Sequence, residues 1–415
     1  MRVLWFTNTP SLASNYLNLK VTGGGWIGSL EAEITKIPSI DLGICFNLKD
    51  SSVQNFVVNN TSYFPVNIIS PKNKFKIFAD RWKHSIQNEN NIQPYLRIIE
   101  EFKPDIIHIF GTESPFGLII SKTAVPCIIH LQGNLNIIIL KYFSGLSQLE
   151  TIRYTKKMSL LRGHGFPHEY YNNKKAAVRE REILHMCKYF MGRTDWDRRI
   201  TNVFSQNSKY FHCDEIMRPA FYLHEWKTQN RLDEFIIMST IRKNLYKGLE
   251  TIYESNKILK EENSKFKITW KIAGIGENDE ITDFIKKKYK FKENNIHLLG
   301  TLQENDLIQE MLTADLFVHP SHIDNSPNSL CEAMLLGMPI IATYAGGIPS
   351  ILGNKNEGLL FQDGDPYSLS GAIIELIEDV DYANDLAKNA RQRALQRHDP
   401  EKIVNDLLQI YSSII

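Results

Sequence analysis

The sequence predicts an α/β protein with a doubly wound parallel sheet in each half of the chain. Three observations carry this. After about residue 230, apolar strand-like runs alternate strictly with helical segments, the signature of a parallel sheet with helices on its faces. Residues 314–349, ADLFVHPSHIDNSPNSLCEAMLLGMPIIATYAGGIP, read as strand, loop, helix, strand, which is half a turn of such a sheet. The first half repeats the theme with RVLWFTN, DIIHIFG and VPCIIHLQG, separated by helical stretches.

Taken in order, RVLWFTN is a buried first strand and lacks the apolar core and cleavage site of a signal peptide. Gly23, Gly24 and Gly25 then lead into a helix over about 26–37. Gly23, Gly25 and Gly28 fit the G-x-G-x-x-G spacing of dinucleotide sites, although some fourteen residues separate them from the strand that such a fingerprint follows directly. DLGICFNL, NFVVN and YFPVNI continue as strands, with a hairpin turn at residues 59–62. A polar helix is expected over 77–102, ending at Pro104, and another in SPFGLIISKTA. His108 and His130 stand near the ends of their strands, where open α/β sheets bind ligands. His108 reads as a structural histidine, and His130, at the turn before Gly133, as a functional one.

Residues 134–188 read as a long basic helical stretch with apolar residues near its start. It is either a solvated face or a surface for anionic lipid. YFMGRT is a strand, and DWDRRITNVF a helix capped by Asp195. Asp195-x-Asp197 and Asp363-x-Asp365 mimic a metal-binding D-x-D pair, but that spacing arises often by chance and neither is read as a metal site. A polar linker is expected over 221–233, followed by six strands: EFIIMST, KITWKIAGIG, NIHLLG, DLFVHPS, MPIIAT and EGLLF.

Composition narrows the class. The 415 residues are 43% hydrophobic and 23% charged with net charge +1, ordinary for a globular protein and without the basic excess of a nucleic-acid binder. Five scattered cysteines, never spaced C-x-x-C, fit a reducing compartment and argue against a disulfide scaffold or zinc cluster. No apolar run reaches the ~20 residues that span a bilayer.

The chemistry concentrates at two junctions. Ser326-Pro327-Asn328-Ser329-Leu330 reads as a helix start, with Ser326 as cap and Pro327 at the first helical position. The free N–H groups of such a turn attract an anion such as a diphosphate. Asp324 and Glu332 bracket the junction and can accept hydrogen bonds from sugar hydroxyls. The blander reading, two acids complementing a helix dipole, is worth roughly 0.3–1 kcal/mol. At the second junction, Arg242 and Lys247 follow the strand EFIIMST, and Gly248 allows a close turn. Two cations at a helix start oppose its dipole, so an anionic ligand is expected there.

The acid pair with seven residues between, followed by EAMLLGMPIIAT, resembles the signature of the family-four retaining glycosyltransferases, which have the GT-B fold. The R-x4-K-G pattern at Arg242, Lys247 and Gly248 matches the same family. The resemblance implies two Rossmann-like domains facing across a cleft, residues 1–225 and 230–398, with a final helix over 400–415 crossing back to the first. It implies that Glu332 holds a nucleotide ribose, that Asp324, where the family usually has Glu, contacts the donor sugar, and that Arg242 and Lys247 neutralise the diphosphate. It places Gly24 and Gly25 near donor and acceptor, His130 near the donor sugar, and Gly274 and Leu302 around the base. The activity implied is retaining transfer from a UDP- or GDP-sugar to a glycan or lipid-linked glycan hydroxyl, in bacterial surface polysaccharide synthesis. No metal or other cofactor is expected. The expected location is the cytoplasm, with peripheral contact at the inner membrane face as an option. The alternatives are a dinucleotide-dependent oxidoreductase using the glycine loop and a binding module with a degenerate site.

Overall fold

The computed structural model describes residues 1–19, 25–50, 52–67, 73–84, 91–229, 234–262, 265, 267–289 and 295–415. The chain divides into two compact units. The first comprises residues 1–139, 170–218 and 398–415, and the second 140–169 and 219–397.

The first unit holds an eight-stranded sheet. Its strands are β1 (Arg2–Thr7), β2 (Asp41–Leu48), β3 (Phe56–Val58), β4 (Thr61–Asn67), β5 (Ile106–Phe110), β6 (Cys127–His130), β7 (Tyr189–Gly192) and β8 (Lys209–His212). They run in the order β3-β4-β2-β1-β5-β6-β7-β8, all pairings being parallel except the β3–β4 hairpin. That hairpin turns on Asn59 and Asn60, both at positive φ, where asparagine is the best tolerated residue after glycine. The helix expected over 77–102 is two helices, Lys74–Trp82 and Gln93–Phe102. SPFGLIISKTA forms a 3₁₀ helix, Pro115–Lys122. The helix Asp195–Phe204 is capped one residue earlier than expected: Thr194 accepts from the Asp197 N–H, and Asp197 bonds back in a capping box.

The C-terminal helix Pro400–Ser412 is part of this unit. Its buried Tyr411 hydroxyl accepts from Trp5 Nε1 (3.1 Å) and lies 2.6 Å from His108 Nδ1. Burial holds the His108 imidazole down, to about 3, so the ring is neutral and the tyrosine donates to it. His108 is thus structural, as its sequence position suggested. The buried Glu180 carboxylate accepts the N–H groups of Leu135 (3.0 Å) and Asn136 (2.9 Å), complementing the start of helix Leu135–Lys141.

The second unit carries six strands: β9 (Phe235–Thr240), β10 (Ile268–Ala273), β11 (Ile296–Gly300), β12 (Leu316–His319), β13 (Ile340–Thr343) and β14 (Leu359–Phe361). They pair in parallel in the order β11-β10-β9-β12-β13-β14. The stretch expected as a linker is partly anchored: Trp226 donates its backbone N–H to Leu336 O (2.7 Å) and its indole N–H to Ala314 O (2.6 Å).

The stretch over 134–188 is divided between the units. Residues 140–169, placed with the first domain by the sequence reading, pack in the second. Tyr142 is buried with its hydroxyl donating to Phe166 O (3.1 Å), and Tyr154 and Phe166 meet Phe284 edge-on. Lys156 pairs with Asp283 and Lys288 with Glu150. A sequence pattern reports that a helix has an apolar face and is silent on which sheet covers it.

Tyr411→Phe removes one donor and one acceptor from a site water cannot reach. The stranded Trp5 N–H and His108 nitrogen should cost about 1–3 kcal/mol, read as an earlier urea midpoint for the first unit. An unchanged midpoint would show that the hydroxyl contributes nothing.

Candidate functional site

In the second sheet the chain order reverses between β9 and β12, which are neighbours although β10 and β11 lie between them in sequence. Such a switch point leaves a crevice at the C-terminal strand ends, because the connections on either side depart in opposite directions. The loops after β9 and β12 carry the two sequence junctions singled out above, 242–248 and 320–327.

Glycine lets these loops meet. Gly248 sits at φ +75°, and a Cβ there would run into the Pro320 carbonyl oxygen. Gly346 sits at φ +55°, where a Cβ would strike the Asp324 carbonyl, which accepts the Gly347 N–H at 2.9 Å. The backbone carrying Asp324 is therefore fixed from two sides.

Lys247 Nζ lies 2.5 Å from Asp324 Oδ2, with both side chains largely buried. His319 Nε2, at the end of β12, is 3.4 Å from the same oxygen. Burial works against the Asp324 charge, but the Lys247 ammonium, then His319, outweigh it and hold the carboxyl well below the usual range. Burial in turn lowers His319, so Lys247 is the cation of the set. The sequence assigned Lys247 to phosphate and Asp324 to sugar, and the structure adds that they pair with one another. Arg242 is exposed, and its side chain has no ion-pair or hydrogen-bond partner among the described residues, while its carbonyl accepts the Asn244 N–H at 2.8 Å.

The helix after this loop spans Asn328–Leu336, with Pro327 just before its first residue rather than at it. Pro327 is the cap, with φ −71° and ψ 116°, and no side chain caps the helix, so Ser326 does not take that role. Ser326 is buried, its hydroxyl 3.9 Å from the Cys331 thiol. The Leu330 and Cys331 N–H groups donate to Pro327 O at 3.0 and 3.2 Å, and the Leu330 side chain is core. Leu330 thus has no N–H to offer a ligand. The N–H groups of Asn328 and Ser329 have no acceptor among the described residues and form the open first turn of the helix. Glu332 is buried in the second turn of the same helix.

The base-side residues are more dispersed. Gly274 closes β10 at φ +95°, pressed on the Ile241 carbonyl, while Leu302 follows the edge strand β11, two strands away from β9.

In the first unit, Gly23 and Gly24 lie outside the described residues, and Gly25 is exposed at the start of helix Gly25–Ile34. Gly28 packs on Leu12 inside that helix. His130 ends β6 with both ring nitrogens buried and without hydrogen-bond partners among the described residues. Burial, then the nearby Arg193, keep the ring neutral. Its plane meets Trp26 edge-on at 5.1 Å.

Neither D-x-D pair forms a carboxylate pair free for a metal. Asp195 binds Arg198 at 3.0 Å, and Asp197 accepts the Arg193 N–H at 2.9 Å. Asp363 pairs with Lys141 and His322, while Asp365 caps helix Pro366–Glu378. Sequence reasoning missed His319, His322 and Glu250 beside the site. The only signal was two histidines, in HPSH, at a strand end.

Comparison with known proteins follows the same division. Residues 223–393 match the family model described as glycosyl transferases group 1. A Campylobacter jejuni N,N'-diacetylbacillosaminyl-diphospho-undecaprenol alpha-1,3-N-acetylgalactosaminyltransferase is 29% identical over 190 residues, covering 46% of this chain and 48% of that protein. A Staphylococcus aureus capsular polysaccharide biosynthesis glycosyltransferase, CapM, is 24% identical over 44% of this chain and 47% of its own. The chain spans about half the length of these curated relatives. Among solved structures, sucrose-phosphate synthase from Thermosynechococcus elongatus superimposes with TM-score 0.73 at 14% identity, over 100% of this chain and 98% of that one. Anabaena HepE, in complex with UDP and glucose, gives 0.65 at 16% identity over the whole of both chains. The two-sheet architecture is therefore that of GT-B glycosyltransferases. The family match favours glycosyl transfer over the dinucleotide reading.

The Lys247–Asp324 pair has a measurable consequence in acid. A carboxyl with a depressed folded value contributes stability above its unfolded value, about 3.9, and loses it as pH falls through the folded one. Lys247→Met should raise the Asp324 titration and cost about 1–3 kcal/mol at pH 7, discounted for partial exposure. Acid unfolding should then begin at higher pH than in the unaltered chain. Superimposable acid transitions would show that the pair is not coupled to folding.

Proposed function

We propose that this chain, whose residues 223–393 are a glycosyl transferases group 1 domain, is a retaining glycosyltransferase using a UDP- or GDP-sugar. The observation that carries the reading is the convergence at one switch point of a cation, Lys247, a half-buried acid before a helix start, Asp324, a buried acid within the helix, Glu332, and two N–H groups without an acceptor among the described residues, Asn328 and Ser329. A sugar nucleotide needs those groups in that arrangement: positive charge and N–H donors for the diphosphate, carboxylates for sugar hydroxyls.

In this reading the N–H groups of Asn328 and Ser329 take the diphosphate, and Lys247 and exposed Arg242 take the charge that grows as it leaves. Glu332 accepts the ribose hydroxyls. Asp324 aims the Lys247 ammonium through its Oδ2 and meets the transferred sugar. The bond from the anomeric carbon to the phosphate oxygen breaks as the acceptor oxygen bonds on the same face. The acceptor proton passes to the departing phosphate, so no carboxylate base is required. Stabilising the leaving diphosphate is the main task of the protein, and Lys247 supplies this without a metal. His130 is the residue of the first unit proposed to meet substrate, since its ring nitrogens have no partner among the described residues.

For the acceptor we propose a lipid-linked glycan of bacterial surface polysaccharide synthesis, supported by the names of the Campylobacter and Staphylococcus relatives. Peripheral membrane contact fits the exposed Leu140, Leu149, Met158 and Leu161, set among Arg153, Lys157 and Arg162. Among the described residues no helix is long and apolar enough to cross a membrane.

Calorimetric titration with UDP and GDP tests the donor site. Glu332→Ala should weaken the preferred nucleotide about ten- to a hundred-fold, the worth of a charged hydrogen bond. Asp324→Ala should bind it no more weakly, because removing that carboxylate frees the ammonium. Sugar transfer should continue in excess EDTA. If Glu332→Ala binds both nucleotides like the unaltered chain, the ribose assignment is wrong.

The membrane proposal predicts co-sedimentation with vesicles containing anionic phosphatidylglycerol and weaker binding to neutral ones. Substituting Leu149 and Leu161 by Ser should abolish it. Equal partitioning to both vesicle types would remove the electrostatic half of the argument.

A further inference from the structure

The most constrained charged cluster outside the proposed contacts centres on His322. Its ring is buried, and each nitrogen faces a carboxylate. Nδ1 lies 2.5 Å from Asp363 Oδ1, and Nε2 bonds Glu250 Oε1. A neutral imidazole has one N–H and one lone pair, so one of these contacts would set a lone pair against a carboxylate. Only imidazolium donates to both. Lys141 Nζ continues the chain at 2.8 Å from Asp363 Oδ2. The order Lys141, Asp363, His322, Glu250 alternates cation and anion.

The cluster joins the two loops of the site. Glu250 is three residues beyond Lys247, in helix Leu249–Glu262, and His322 is two residues before Asp324. The His322 backbone N–H also donates to Tyr246 O at 2.9 Å. Resting on the proposed function, we infer that His322 is a positioning residue: held as imidazolium between Glu250 and Asp363, it locks the Asp324 loop onto the Lys247 loop. The diphosphate site of the second unit then depends on Lys141 and the segment 140–169, which sequence places far from it.

The surroundings support this. A Cβ at Gly145, in that same segment, would press on the Glu250 carboxylate at 2.9 Å. The second Glu250 oxygen is buried without a hydrogen-bond partner among the described residues, so His322 is its compensating charge. The Thr251 hydroxyl also reaches Oε1, at 3.1 Å. Tyr289, on helix Glu280–Tyr289, is pushed above its usual range by burial first and then by neighbouring acids, Glu250 among them. Two residues further along the loop, Asp324 pairs with Lys247. Burial alone would lower His322, but Asp363 and Glu250 raise it to about 9. A raised imidazole contributes fully below its unfolded value, about 6.5, and its contribution disappears as pH rises through the folded one.

The test uses the full chain, with UDP or GDP as probe, whichever binds more tightly at pH 7. Above pH 7 the phosphates are already ionised, their last ionisation lying at about 6, and the uracil or guanine N–H, which ionises in the alkaline range, does so equally for every variant, so the difference between the unaltered chain and His322→Gln reports the ring. His322→Gln should bind about ten-fold more weakly than the unaltered chain at pH 7. That about ten-fold advantage of the unaltered chain should be lost between pH 7 and pH 9.5. Two milder variants move the midpoint in opposite directions. Asp363→Asn removes an anion and lowers it, whereas Lys141→Met, at a half-exposed position, removes a cation and raises it. The His322 ring signal in NMR, identified by its loss in His322→Gln, should titrate near 9 with or without nucleotide. A ring titrating at or below 6.5 would falsify the clamp, as would a pH-independent ratio of affinities between the unaltered chain and His322→Gln. Absence of nucleotide binding at every pH, with the ring still titrating near 9, would instead overturn the proposed function.

Discussion

Two parallel strands, β9 and β12, lie side by side and send their following loops in opposite directions, and the second unit is organised around holding those loops together. The loops converge on polar and charged groups that burial makes costly. The solution is pairwise compensation, Lys247 with Asp324 and His322 with Glu250 and Asp363, over glycines that remove the steric obstacle. Each pair would be expensive to break from one side, because the remaining charge would stay in low-dielectric surroundings. A phosphate entering such a site meets charge that has already been desolvated and oriented, which lowers the reorganisation its own charge demands.

The first unit solves a different problem with the same physics. Its strand ends bury several polar side chains, and most have a partner: His108 with Tyr411, Glu180 with the start of a helix. At this edge the Thr9 hydroxyl and the Gln132 amide nitrogen also lack a partner among the described residues, and His130 has neither ring nitrogen satisfied. A buried polar group without a partner costs free energy, which is why His130 stands among the proposed substrate contacts. That contrast separates the two strand histidines better than their sequence positions do.

Segment 140–169 is the least expected part of the architecture. The chain leaves the first unit within a helix, contributes Lys141, Tyr142 and Glu169 to the second, and returns at Tyr170. Asn244, in the loop after β9, donates to Glu169 at 3.1 Å, so the excursion also touches the other proposed phosphate loop. Two chain crossings therefore precede the main one near residue 219. Cutting the second unit out as one continuous piece would remove Lys141 and Glu169, partners of Asp363 and Asn244.

The sequence by itself determined the parallel strands of the second unit, and it singled out the two loops after β9 and β12 with Lys247, Asp324 and Glu332 as candidates for a ligand site. These follow from short-range rules: apolar runs make buried strands, glycine closes turns, and charged residues at strand ends sit where ligands bind. Tertiary structure alone decided that Lys247 and Asp324 pair across 77 positions of chain. It alone showed that Pro327 rather than Ser326 starts the helix, and that Asp363 serves His322 and Lys141 rather than a metal motif. It also decided that 140–169 belongs with the second sheet. Those outcomes depend on which distant groups share a low-dielectric space. A local pattern records the chemistry of each group and carries no record of the partner that will neutralise it.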